Sequence, residues 1–276
     1  MKKALLLLAG LIAAARPTAA EAPTAPAPID AFSRGILSYF AKLEEYVATE
    51  KISQDVMRDA NQTVFRHQVL LSDFQIAHLG EDPDALWEFR FIRSVDGKAL
   101  DTDRQIQDFF RLRQPNAAAE RRSIVALARE HSLPGCYWHN LTLTLLAFAP
   151  EILDDFAWTP KGKGFAFRQV RGLGIPEDLF DPSSPRHFPS GTLELAADGV
   201  SPAHLDIEWT SRESRLLVKM DFSPPEKPGE IALPRRYVAV HERLSSGKLV
   251  DRTTFEYSDF RKFTVTTDSE TSKPAH

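Results

Sequence analysis

Only one cysteine, Cys136, stands in the 276 residues, so no disulfide can form within the chain. The fold must be held by the size of its core rather than by covalent staples. In its setting, Leu133-Pro134-Gly135-Cys136-Tyr137-Trp138, the thiol is expected to be a small buried side chain rather than half of an intermolecular bridge. Net charge is small as well. It is −4 for the whole chain, and −7 once a leader containing Lys2, Lys3 and Arg16 is removed. That leaves no basic footprint for nucleic acid or anionic headgroups. No apolar run beyond the first residues approaches the roughly 20 needed for a spanning helix, so no integral membrane segment is expected after the leader. HExxH, GxSxG and P-loop motifs are missing. The eight histidines (His67, His78, His131, His139, His187, His204, His241 and His276) show no close pairing at ligand spacing. Neither metal nor cofactor is expected, and the chain is not expected to be an enzyme.

The first residues carry the clearest signal. Met1, Lys2 and Lys3 form a positive start, Ala4 to Ala15 an apolar run, and Thr18-Ala19-Ala20 a cleavage site before Glu21. This pattern is that of a secretory signal peptide over 1–20, which places the mature protein in the periplasm or outside the cell. With no cysteine just after the run, a lipid-anchored N-terminus is not expected. Residues 21–29 (EAPTAPAPI) are expected to form a Pro/Ala linker. A single domain is expected over 30–266, followed by a polar tail over 267–276.

Within that domain Asp30 is expected to cap an amphipathic helix over 31–49, with Phe32, Ile36, Leu37, Phe40, Leu43 and Val47 at helical spacing. Strands begin near Val64. Leu70, Ser72, Phe74 and Ile76 alternate with Leu71, Asp73 and Gln75. Trp87, Phe89 and Phe91 then share one face, and Glu88 and Arg90 the other. Asp96-Gly97 is a hairpin turn. A helical insertion is expected over 101–149, capped at Asp101 or Asp103. Its apolar stretch 141–148 is open to either helix or strand. From Phe156 the pattern is β. Pro182, Pro185 and Pro189 are expected to keep 171–189 a loop. A meander follows over 192–196, 204–210, 215–222, 235–243 and 252–265, with a turn at Asp198-Gly199. Each of these strands has one apolar face, as in an antiparallel sheet covered on one side, so the expected class is α+β.

Two groupings invite chemistry and are better explained otherwise. His78 with Glu81, Asp82 and Asp84 reads as a solvated acidic loop, and Asp101-x-Asp103 as a helix cap. The aromatic stripe carries more weight. Trp87, Phe89, Phe91, Phe165, Phe167, Trp209, Phe222, Phe255 and Tyr257 fall on alternating strand positions. They are the candidate lining of a cavity for an acyl chain, although a packed sheet-on-helix core is the commoner use of such residues.

The C-terminal half supports a resemblance. Gly191-Thr192-Leu193-Glu194-Leu195 and the following turn lead into His204-Leu205-Asp206-Ile207-Glu208-Trp209. Leu233-Pro234-Arg235-Arg236-Tyr237 and Phe255-Glu256-Tyr257-Ser258-Asp259-Phe260 come after. Together with Leu70-Leu71-Ser72-Asp73-Phe74 and Phe91–Gly97, this is similar to uncharacterised secreted bacterial proteins of the lipoprotein-carrier (LolA/LolB-like) half-barrel type, over most of residues 60–266. The resemblance implies a curved antiparallel sheet with helices on its concave face. It also implies non-catalytic binding of lipid or lipoprotein acyl chains between the two. A monomer is expected. Two other classes remain open at this point: a secreted hydrolase with a spatially assembled site, and an envelope interaction module without a ligand.

Overall fold

The computed structural model describes residues 25–58, 63–78, 86–105, 107, 130–134, 136, 141–172, 174–176, 186–212, 214–227, 229–244 and 248–262. Helix α1 (Ala27–Leu43) leads into β1 (Tyr46–Met57), β2 (Val64–His78), β3 (Leu86–Val95) and β4 (Lys98–Ala99). A short helix α2 (Leu141–Leu146) precedes β5 (Phe156–Lys161), β6 (Gly164–Gln169) and β7 (Ile175–Pro176). The chain ends in β8 (Arg186–Leu195), β9 (Pro202–Thr210), β10 (Ser214–Ser223), β11 (Leu233–Arg243) and β12 (Lys248–Lys262). Eleven strands lie in the order β4-β3-β2-β1-β12-β11-β10-β9-β8-β6-β5, and β7 pairs with β8 off that path. The described fold is therefore mostly sheet. The sheet is open, with β4 and β5 at its ends.

All pairings are antiparallel. The C-terminal meander β8 to β12 follows the expected order, and β12 closes against β1 rather than ending the sheet. One register row crosses eight strands. Leu70 opposes Ile52, which opposes Phe255, and Phe255 opposes Tyr237. The row continues through Met220, Leu205 and Leu193 to Phe165. Every member belongs to, or packs against, one apolar cluster. At the usual strand spacing the row runs about 34 Å.

Helix α1 packs into the same cluster through Ile29, Phe32, Ile36, Phe40 and Leu43, at the period of a helical stripe. Tyr39 stacks edge-on against Phe222 at 6.5 Å and donates its hydroxyl to the Ala232 carbonyl at 3.0 Å. Ser33 Oγ donates to the Phe148 carbonyl at 2.7 Å, tying α1 to the turn after α2.

Several boundaries differ from expectation. Helix α1 starts at Ala27, inside the supposed linker, because Pro26 takes the cap position and Pro28 lies in the first turn, where no N–H is needed. Asp30 is not the cap; it pairs with Arg34 one turn on. The helix ends at Leu43, and the residues read as its last turn begin β1. Strand β8 starts at Arg186 and includes Pro189. Pro189 opposes Trp209 on β9, while pairing with β6 begins only at Ser190, so one side of Pro189 carries no ladder. The stretch 141–148 resolves as helix over Leu141–Leu146. Asp101 does cap: its Oδ1 accepts from the Asp103 amide at 3.1 Å. Most of the expected insertion, the 81–84 loop and the tail lie outside the described residues.

Candidate functional site

The nine aromatic candidates do not gather on one surface. Phe167, Trp209, Phe222, Phe255 and Tyr257 are buried in the main cluster, and Phe165 packs at its edge. Trp87, Phe89 and Phe91 point to the other face of β3, where they form a second, small cluster with Ala77. Strand alternation forces the consequence. Glu88 and Arg90, the pair that looked outward in the sequence, face the main core.

There they build a buried ionic centre. The Arg90 side chain is 5% exposed, Glu88 is 1% and Glu50 is 0%. Arg90 Nε donates to Glu50 Oε2 at 2.9 Å and Oε1 at 3.1 Å. Arg90 Nη2 donates to Glu88 Oε2 at 3.0 Å. Ser72 Oγ donates to Glu50 Oε2 at 2.9 Å. The other oxygen of Glu88 accepts the Thr142 amide of α2 at 2.7 Å. Rings flank the guanidinium, with the Phe74 centroid 5.0 Å and the Phe255 centroid 5.2 Å from Cζ. Tyr257 stacks on Phe74 at 5.1 Å. Phe255 meets Tyr237 edge-on at 5.5 Å, and the Tyr237 hydroxyl lies 3.2 Å from Thr144 Oγ1 of α2.

Register explains the assembly. Ser72 opposes Glu50, Glu50 opposes Tyr257, and Phe74 opposes Arg90. Four strands thus contribute adjacent side chains on one face, and α2 closes over them. Burial pushes the Glu88 carboxyl above its ordinary value; the Arg90 charge and the Thr142 amide oppose this and Glu50 adds to it. For Arg90, burial works against the charge, but Glu50 and Glu88 outweigh it and hold the guanidinium protonated. Burial also lifts the Tyr257 phenol well above its usual range, so it stays neutral.

A second polar row lies on the same face. Gln54 opposes both Gln68 and Thr253. Gln54 Oε1 accepts the Leu133 amide at 3.0 Å, and Gln68 Nε2 donates to the His131 carbonyl at 3.0 Å. These two glutamines dock residues 131–133 onto the sheet. Beside them, buried Asp251 meets His241 Nδ1 at 3.2 Å. Among the described residues no group of three His, Cys, Asp or Glu side chains is arranged to hold a metal ion, and no helix is long and apolar enough to cross a membrane.

Sequence reading missed Glu50 and the inward direction of Glu88 and Arg90. The available signal was Ser72, a lone hydroxyl on the otherwise apolar face of Leu70, Phe74 and Ile76.

No protein-family model matches the chain, and no curated protein matches it. Among solved structures it is similar to a DUF1329 family protein from Desulfovibrio piger, at 10% identity and a TM-score of 0.39, over 86% of this chain and 92% of that one. So loose an overlap carries neither fold family nor function across.

Proposed function

We propose that this protein is an exported, non-catalytic carrier that binds an apolar ligand, a lipid or lipoprotein acyl chain, between a curved sheet and its helices. The observation that carries the reading is the apolar row from Leu70 through Phe255 and Tyr237 to Phe165, lying on one face of a single open sheet. Among the described residues α1 and α2, about 26 Å and 9 Å long, both lie on that face. A sheet face lined by apolar side chains and overlain by helices suits a guest that intercalates between the layers. Export rests on the leader over 1–20.

The test is native mass spectrometry of the mature protein with lipid extraction, paired with Phe255→Ala. The reading expects a co-purified acyl species, or saturable binding of an acyl probe, weakened in the variant. A filled scaffold gives the opposite: no extracted lipid, no bound probe, and a loss of about 3–5 kcal/mol in Phe255→Ala from the void alone.

A further inference from the structure

We infer that the ligand carries a carboxylate and that Arg90 holds it, so that the ligand class is a free long-chain fatty acid with its tail along the apolar row. This rests on the apolar-ligand reading. Three observations carry it.

The first is position. Phe255 is a member of the row and also flanks the Arg90 guanidinium at 5.2 Å. A chain lying along the row from Phe165 to Phe255 therefore comes beside a buried cation whose planar fork suits a carboxylate. The second is the inequality of the two resident acids. Glu50 accepts from Arg90 Nε with both oxygens, is locked by Ser72 and is fully buried, as a permanent counter-ion is. Glu88 takes a single Arg90 bond, and its other oxygen holds the amide of α2. Glu88 occupies the place a ligand head would take, and its release would part it from the Thr142 amide of α2 at the same moment. The third is charge. Among the described residues two carboxylates share one guanidinium, and the groups facing Glu88 are Glu50, Arg90, the Thr142 amide and neutral Tyr257. An incoming carboxylate keeps the balance if Glu88 takes one proton from solvent as it leaves Arg90. The centre then still holds one guanidinium and two carboxylates, with Glu88 neutral. The upward displacement of the Glu88 carboxyl by burial favours that exchange. A phosphate monoester, carrying nearly two charges, breaks the balance. Packing does not require the cluster, because apolar side chains of similar volume hold such a site as well or better.

The test is equilibrium binding of palmitate, hexadecanol and hexadecyl phosphate to the mature protein at pH 7. Palmitate is expected to bind about tenfold or more tighter than hexadecanol, the scale of one charge-assisted contact. Hexadecyl phosphate is expected to bind more weakly than palmitate. Arg90→Gln should erase the preference for palmitate over hexadecanol. Glu88→Gln, which removes the competing anion, should tighten palmitate and leave hexadecanol unchanged. Equal binding of palmitate and hexadecanol overturns the inference while the apolar-ligand reading stands. Binding of neither overturns both. Tighter binding of the phosphate overturns the carboxylate assignment. If Arg90→Gln does not fold, Glu88→Gln decides: palmitate affinity unchanged or reduced overturns the inference.

Discussion

Replacing Arg90 by methionine keeps most of the side chain's volume between Phe74 and Phe255 and removes its charge. Two carboxylates are then left in the core, Glu50 at 0% and Glu88 at 1% side-chain exposure. Among the described residues the change deletes three charge-assisted contacts, two to Glu50 and one to Glu88. Each such bond contributes roughly 1.5–3 kcal/mol in isolation, but two of the three share one carboxylate and do not add in full. Breaking a buried ion pair by removing one partner costs about 3–5 kcal/mol, and we expect Arg90→Met to lose that much at pH 7. The loss should shrink at pH 5, because Glu88, whose carboxyl burial already pushes upward, takes up a proton and stops being charged. Replacing the whole group, Glu50→Gln with Arg90→Met and Glu88→Gln, should recover most of the loss, since no buried charge is then without its partner.

Urea unfolding at the two pH values measures all of this. The wild type supplies its own control. The folded-state value of Glu88 is raised, so its contribution to stability is fully present below the ordinary carboxylate value near 4.5 and is lost as pH rises through the folded value. Glu88→Gln should remove that decline. A loss below about 1 kcal/mol in Arg90→Met, or one of equal size at both pH values, would refute the argument that the core holds uncompensated charge.

Gly191→Ala should cost more than about 3 kcal/mol or prevent folding, because a Cβ there falls 1.9 Å from the Asp206 carbonyl oxygen and the strand pair must part; a wild-type melting curve refutes it. His204 sits between Asp221 at 2.7 Å and Asp206 at 3.3 Å. Burial opposes its charge, the two carboxylates outweigh burial, and the net shift is upward. Its stabilising contribution is therefore complete below about pH 6.5 and fades as pH rises through the folded value. His204→Gln should flatten the stability profile across that window, and superimposable profiles count against the assignment. Burial, with Asp251 adding and Thr253 opposing, pushes the Cys136 thiol up to about 12. Iodoacetamide at pH 8 should alkylate the native protein far more slowly than the unfolded chain, and Cys136→Ser should shift stability by about 0.5–2 kcal/mol; rapid native alkylation or a covalent dimer overturns this. N-terminal sequencing of the exported protein should begin near Glu21, and full-length chain recovered from the cytoplasm removes the export proposal.

How much of this was legible follows from where polar residues sit. The meander was readable because its inward positions are uniformly apolar: Leu205, Ile207 and Trp209 on β9, then Leu216, Val218, Met220 and Phe222 on β10. The Asp96-Gly97 turn was readable because both residues take positive φ, 49° and 78°, as that hairpin type demands. β1 was not readable, and for the opposite reason. Its inward positions include Ala48, Glu50, Ile52 and Gln54, so half of the buried alternation is polar. A pattern search scores that as a solvated stretch and lets the preceding helix run on. On β3 the pattern was seen and turned inside out. Both faces are covered, and hydrophobicity alone assigns the aromatic face to the core and the charged one to water. What makes the other face the inner one is its partners: Phe74 opposite Arg90, and Glu50 within hydrogen-bond reach. The Glu50 contact is non-local, from a strand 40 residues earlier in the chain. The elements that hid from the sequence are thus the ones that carry the buried charge. A charged residue reads as core only when its counter-ion is known, and register supplies that counter-ion only after the sheet is assembled.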